Sequence, residues 1–202
     1  RAVSSNSNRD KIVKVNILMP APFAESTKEI VKEFNKKYTN EIRLNVTKGP
    51  METEAVSDLA ISNLLLDSNQ YDALLIDVTW LPKYAAAGWL EPIDKYIKIE
   101  LWESLMPGSK LGNKFRKKIY RWPLVADMGL LYWRKDLMLE PPKTPKELVT
   151  ISKKLVQEGK VEYGYVWQGK QYEGLSCVFL EIVNGFGGNW INKNGEVELN
   201  KK

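Results

Sequence analysis

A chain of 202 residues, 44% of them hydrophobic and 10% aromatic, can bury one good core or two small ones, and is too apolar to be disordered. One cysteine, Cys177, and no histidine exclude an internal disulfide, the usual zinc sites and any Ser-His or Cys-His catalytic pair. The formal charge of +5 and the basic stretch "KFRKK" at 114–118 would suit a polyanion, but elsewhere lysines interleave with glutamates, as in "STKEIVKEFNKK". No motif of a nucleic-acid-binding domain accompanies the charge, so no nucleic-acid partner is expected.

No run approaches the ~18 consecutive apolar residues of a membrane helix, and "RAVSSNSNRDK" lacks the apolar centre of a signal peptide. The chain as given therefore reads as soluble, with any export signal already removed and with residues 1–11 as a flexible tether. Val13, Val15 and Ile17 then alternate as a strand. Ser26 is expected to open a helix, with Glu29 completing a capping box and Ile30, Phe34 and Tyr38 on one face. Ile42, Leu44 and Val46 predict a second strand, and Val56, Leu59, Asn63 and Leu66 a second helix. The run "ALLI", ending at Asp77, predicts a third strand. This order is that of an α/β layer with a largely parallel sheet, in which ligands bind outside the carboxyl ends of the strands. Asp77 stands at such an end.

Past the basic segment, "IYRWPLVADMGLLYWRKDL" reads as two extended apolar runs meeting near Asp127. Thr144, Pro145 and Glu147 mark the start of a helix with Leu148, Ile151 and Leu155 as its buried stripe, and Gly159 stops it. "YGYVW" predicts a short strand, residues 172–184 an apolar helix that would bury Cys177 as a small hydrophobe, and Asn194-Gly195 the turn of a hairpin.

The chemistry-bearing residues gather where these runs end. A pyranose offers C–H faces and a rim of hydroxyls, so a sugar site combines aromatic plates with carboxylates and amides. Asp77 with Trp80 supplies that combination, as do Asp127, and Trp167 with Gln168, Tyr172 and Glu173. Blander roles stand beside these. Asp77 suits the N-cap of the segment that follows it, Asp127 a plain surface carboxylate, and Glu173 the first turn of its helix, where a negative charge meets the helix dipole. Trp89, Trp102 and Trp122 read as packing residues, and at most one of Tyr132 and Trp133, which alternate along a strand, faces a cleft.

Three long stretches, "DVTWLPKYAAAGWLEPID", "PLVADMGLLYWRKDLMLEPPKTPKEL" and "GYVWQGKQYEGLSCVFLEIVNGFGGNW", resemble successive landmarks of the family 1 extracellular solute-binding proteins of ABC transporters, most closely the trehalose/maltose-binding branch. The resemblance implies a type II, Venus-flytrap fold of two α/β lobes, the second incomplete in this chain: residues 12–126 as the first lobe, and 127–202 as the hinge crossing and opening part of the second. It also implies a non-enzymatic, monomeric receptor without a cofactor, which captures a sugar and delivers it to membrane permease subunits. The sugar would be a disaccharide-sized α-glucoside: trehalose, maltose, sucrose or glucosylglycerol. Such a receptor is periplasmic or extracellular, and either a lipoprotein anchor or a free protein would leave a polar N-terminus.

By the same resemblance, Asp77 matches the family's sugar-binding aspartate after the third strand, and Asp127 its acidic residue at the first lobe crossing. Trp167, Gln168 and Tyr172 match the "WQG..YEG" lining of the second lobe, and Glu52 and Thr53 a "GP.DT" loop reaching the cleft. Val125 stands where relatives often carry an aromatic, which removes one stacking plate. Family members are also much longer, so the chain is expected to be a fragment or to pair with a separate second half. The alternative reading is a glycoside hydrolase using Asp77 and Asp127 as its two carboxylates.

Overall fold

The computed structural model describes residues 12–66, 68 and 70–198. The expected tether, residues 1–11, lies outside the described residues. The chain forms two compact units that divide between Ala126 and Asp127.

The first unit is built on a parallel sheet in the order β2-β1-β3, with β1 at Val13–Met19, β2 at Ile42–Lys48 and β3 at Ala73–Leu74. Parallel neighbours need a crossover connection, supplied by α1 (Ala21–Ser26), α2 (Lys28–Lys37) and α3 (Thr53–Leu65). The helix expected at Ser26 starts earlier. Proline near the first turn fits a helix start, and here Pro20 is the N-cap of α1. The Ser26 and Thr27 hydroxyls both bond back to the carbonyl of Phe23, at 3.2 and 2.7 Å, so neither caps α2. Glu29 pairs instead with Lys32 at 3.1 Å.

A buried cluster of Leu18, Val56, Ala60, Ile76 and Tyr84 ties the sheet to α3 and to α4 (Leu81–Ala86). Burying an aliphatic side chain of Leu18's size stabilises the fold by roughly 1.5–3 kcal/mol. The inward face of α3 carries Val56, Ser57 and Ala60, whereas Leu59 and Leu66 are exposed. The α3 stripe is thus rotated from the one its leucines suggest, because the small residues permit the close approach to the sheet. Ile30 of α2 is likewise exposed, while Phe34 stacks on Tyr38 with ring centroids 4.6 Å apart. Trp89 meets Tyr84 edge-on at 5.5 Å and packs on the cluster, the packing role expected of it.

After α5 (Ile99–Glu103) and α6 (Pro107–Leu111), a hairpin pairs β4 (Lys114–Phe115) with β5 (Lys118–Ile119). Its two turn residues, Arg116 and Lys117, have φ of 46° and 70°. Such a turn normally uses Asn-Gly, because a Cβ is crowded at positive φ. Trp102 is buried and lies 6.4 Å from the ring of Trp122, which is partly exposed.

In the second unit, α7 (Pro145–Gln157) begins as its residues dictate: Thr144 Oγ1 accepts from Glu147 N at 3.1 Å, and Glu147 Oε2 accepts from Lys143 N at 2.7 Å. Leu155 is buried, and Gly159 follows the helix end at φ 66°. α8 spans Glu173–Gly185, and an antiparallel bridge joins Ile191 to Val197 across a turn with Gly195 at φ 82°. The runs expected as strands near Asp127 and at "YGYVW" enter no ladder among the described residues. Cys177 is exposed and not buried as expected, because α8 buries only Gly174 and leaves Phe179, Leu180 and Ile182 outward.

Candidate functional site

In a parallel sheet the carboxyl ends of all strands share one edge. At that edge of the first unit lie two loops. One follows β2: Gly49 N donates to Met19 O at 2.7 Å and Ala21 N to Pro50 O at 3.0 Å, which lays residues 49–50 against the end of β1. A Cβ on Gly49 would sit 3.0 Å from Met19 O, so the close approach depends on glycine there. This loop carries Glu52, the backbone N-cap of α3, and Thr53, whose hydroxyl reaches Glu54 Oε2 at 3.3 Å.

The other loop follows β3. Leu75 N donates to Leu18 O at 2.9 Å, the chain then leaves the sheet, and Asp77 caps a 3-10 turn at Val78–Trp80. Asp77 Oδ1 accepts from both the backbone N and the Oγ1 of Thr79, each at 2.7 Å. The capping role is therefore real. Oδ1 fixes the carboxylate's orientation, while Oδ2 accepts no hydrogen bond from the described residues. Trp80 packs on the core cluster and is half-buried, as a plate backed by the protein would be. Arg121 is half-buried in the same unit. Burial pushes its guanidinium pKa down, and the charge of Asp77 acts against that shift.

Beneath the two loops, Ser57 Oγ lies 3.0 Å from Tyr84 Oη, and Tyr84 Oη donates to Ser57 O at 3.3 Å. Ser57 belongs to α3, which starts at the Glu52 loop, and Tyr84 to α4, which follows the Asp77 turn. This contact fixes one loop against the other, and no sequence signal points to it. Burial raises the pKa of the Tyr84 phenol.

In the second unit the residues of "WQG..YEG" do come together, around a glycine. A Cβ on Gly174 would lie 2.4 Å from both Gln168 Oε1 and Tyr172 Oη, so those two polar groups converge on the start of α8. Trp167 is 48% exposed with its ring over Gly169, where a Cβ would meet it at 3.0–3.3 Å. Tyr172 occupies the N-cap position of α8 in extended backbone, and Glu173 is its first residue, so the helix-dipole role of Glu173 fits the geometry. Gly174 is not among the residues expected from sequence, although "YEG" carries it. Asp127 is exposed at the start of this unit.

None of these residues lines the cavity of about 350 Å³ in the second unit, which is walled by Leu131, Trp133, Leu148, Ile151, Leu155 and Val161. Leu148, Ile151 and Leu155 of α7 form one side of it, while Tyr132, Arg134, Ser152, Tyr163 and Tyr165 bring polar groups to the rest of its lining. Among the described residues no three His, Cys, Asp or Glu side chains cluster to hold a metal, and no helix is long and apolar enough to cross a membrane.

The chain is similar to proteins that bind solutes. The family model for bacterial extracellular solute-binding proteins matches residues 20–202. A probable ABC transporter-binding protein of Deinococcus radiodurans is 32% identical over 176 residues, 82% of this chain and 41% of that protein. The maltotriose-binding protein of Pyrococcus abyssi is 30% identical over 118 residues, 58% of this chain and 25% of its own length. The maltose-bound structure of T. maritima MalE3 superposes with a TM-score of 0.81 at 30% identity, covering 92% of this chain and 48% of that one. The fold is thus that of the type II sugar-binding proteins, and the chain spans about half the length of these relatives or less. The family consists of binding proteins and not enzymes, which removes the hydrolase alternative for Asp77 and Asp127. By the extent and order of this match, the chain belongs to the bacterial extracellular solute-binding proteins.

Proposed function

We propose that this chain supplies one lobe and the opening part of the second in the sugar receptor of an ABC importer of the trehalose/maltose-binding branch. Residues 12–126 would form the first lobe, and 127–202 the crossing and the start of the second; the division of the chain into compact units at 126/127 supports this. The observation that carries the reading is the Asp77 turn. Its carboxylate is oriented through one oxygen, with the other open to a hydroxyl, at the ligand edge of a parallel sheet and beside a half-buried tryptophan. An α-glucoside is favoured because two similar proteins at 30% identity are a maltotriose-binding protein and the maltose-bound MalE3, and the disaccharide size is that of the maltose in the second.

In this reading Asp77, Trp80, Glu52 and Thr53 contact the sugar from the first unit, and Asp127, Trp167, Gln168, Tyr172 and Glu173 from the second. Sugar contacts made from both lobes at once favour the closed arrangement over the open one, the hinge closure by which periplasmic binding proteins enclose their ligands. Membrane permease subunits are the partners that would sense closure. The protein works as a monomer outside the cytoplasmic membrane, and a lipid anchor is compatible with this role.

Titrating the full-length receptor with maltose, trehalose, sucrose and glucosylglycerol while following tryptophan fluorescence tests the reading. Saturable quenching by at least one α-glucoside is expected, and a flat response to all four contradicts it.

A further inference from the structure

We infer that Arg121 is a positioning residue for the sugar site of the first unit, holding the Asp77 turn in place through Gly112 and Asn113; the inference rests on the sugar reading above. The contacts run in an unbroken series. Arg121 Nη1 donates to Asn113 Oδ1 at 3.1 Å and lies 3.4 Å from Gly112 O. Asn113 is only 1% exposed, and the protein engages its groups on several sides: Nδ2 donates to Ser109 O, the backbone carbonyl accepts from Tyr120 N at 3.2 Å, and Oδ1 takes the arginine.

Gly112 is where this assembly meets the site. A Cβ there would lie 2.2 Å from Cγ2 of Val78 and 3.8 Å from Arg121 Nη1. Val78 is the first residue of the turn that Asp77 caps. The turn therefore seats against the missing side chain of Gly112, and the guanidinium clamps the same backbone next to that seat. Charge works in the same direction. A half-buried guanidinium loses hydration, and the Asp77 carboxylate is the charge that offsets this loss. Removing the guanidinium leaves Asn113 Oδ1 without its donor at a buried position and frees the seat of Val78. Asp77 would then be held by Thr79 alone.

Arginine is suited to the task because its delocalised guanidinium is more weakly hydrated than an ammonium and tolerates half-burial, while its Nη1 serves both Asn113 Oδ1 and Gly112 O. The effect on sugar should therefore pass through Asp77 and vanish when that carboxylate is absent.

A double-mutant cycle on the full-length receptor, titrated with maltose and trehalose, tests this, with thermal stability measured in parallel. Arg121→Gln should weaken binding roughly tenfold. Arg121→Lys should restore part of the loss through its charge. In an Asp77→Asn background, Arg121→Gln should change affinity by less than about twofold. Gly112→Ala, whose Cβ displaces Val78 and meets the guanidinium only at ordinary contact distance, should weaken binding in the same Asp77-dependent way, and serves if Arg121→Gln does not fold.

Losses that add in full across the cycle would overturn the inference and leave Arg121 as a fold residue. So would unchanged affinity in Arg121→Gln alongside a weakened Asp77→Asn, with the sugar reading intact. If neither sugar binds the unaltered receptor, the sugar reading falls and this inference with it.

Discussion

Replacing Tyr84 by phenylalanine removes one oxygen from the core beneath the two candidate sugar loops. Tyr84 is 0% exposed and Ser57 7%, so water cannot fill in for the lost partner. The phenol makes two contacts with Ser57, at 3.0 Å to its hydroxyl and 3.3 Å to its carbonyl. A net hydrogen bond contributes about 0.5–1.5 kcal/mol, and a buried hydroxyl left without its partner adds to the loss, so Tyr84→Phe should cost about 1–2 kcal/mol. The ring itself stays, so there is no cavity term. For a protein of this size the loss lowers Tm by about 3–6 °C.

The same residue sets an alkaline limb. Its phenol pKa is raised by burial in the folded state, so the unfolded chain loses this proton first. The Tyr84 contribution is thus complete below the ordinary phenol range near ~10, and is lost as pH rises from there through the folded value. Thermal unfolding followed by circular dichroism at pH 7 and above pH ~10 should show Tyr84→Phe less stable at neutrality and less sensitive to alkali. Equal Tm values at pH 7 with identical alkaline limbs would refute the claim that this contact joins the two loops.

Other consequences can be checked separately. Glu25, held by Lys28 and Lys48, has its pKa lowered to about 2, so its pairing stabilises above the ordinary carboxylate range and is lost as pH falls toward that value; Glu25→Gln should flatten the acid limb of a pH–stability curve. Replacing Arg116-Lys117 by Asn-Gly should stabilise the protein by about 1 kcal/mol in urea titration, since relief of two left-handed side chains outweighs the added freedom of glycine in the unfolded chain. Gly174→Ala should weaken α-glucoside binding by roughly tenfold with little change in Tm, because the new Cβ displaces Gln168 and Tyr172, which fluorescence titration would register.

The elements legible in the sequence are those with a strong local signal. Thr144, Pro145 and Glu147 place the start of α7, and the alternation of Val13 to Ile17 and Ile42 to Val46 places two strands that pair in parallel. The start of α2 is not legible, because a serine or threonine that bonds back to the i−3 or i−4 carbonyl looks the same in sequence as one that caps. Nor is the buried face of α3, where Ala60 and Ser57 point inward in place of the larger leucines. A ladder depends on a partner strand, so an apolar run such as "YGYVW" predicts extended backbone but not pairing. Within the site, Asp77 is legible from its place after a strand. Ser57, Arg121 and Gly174 are not, because each acts through a contact distant along the chain or through a side chain that is missing.

The measurement that bears most directly on the sugar site is isothermal calorimetry of the full-length receptor and its Asp77→Ala and Asp127→Ala variants, using the α-glucoside that quenches best. Saturable binding weakened roughly tenfold or more in each folded variant is the predicted result, since each removes a charged acceptor for a sugar hydroxyl. Binding that survives both substitutions unchanged would contradict the site, and an absence of binding to any α-glucoside would contradict the function.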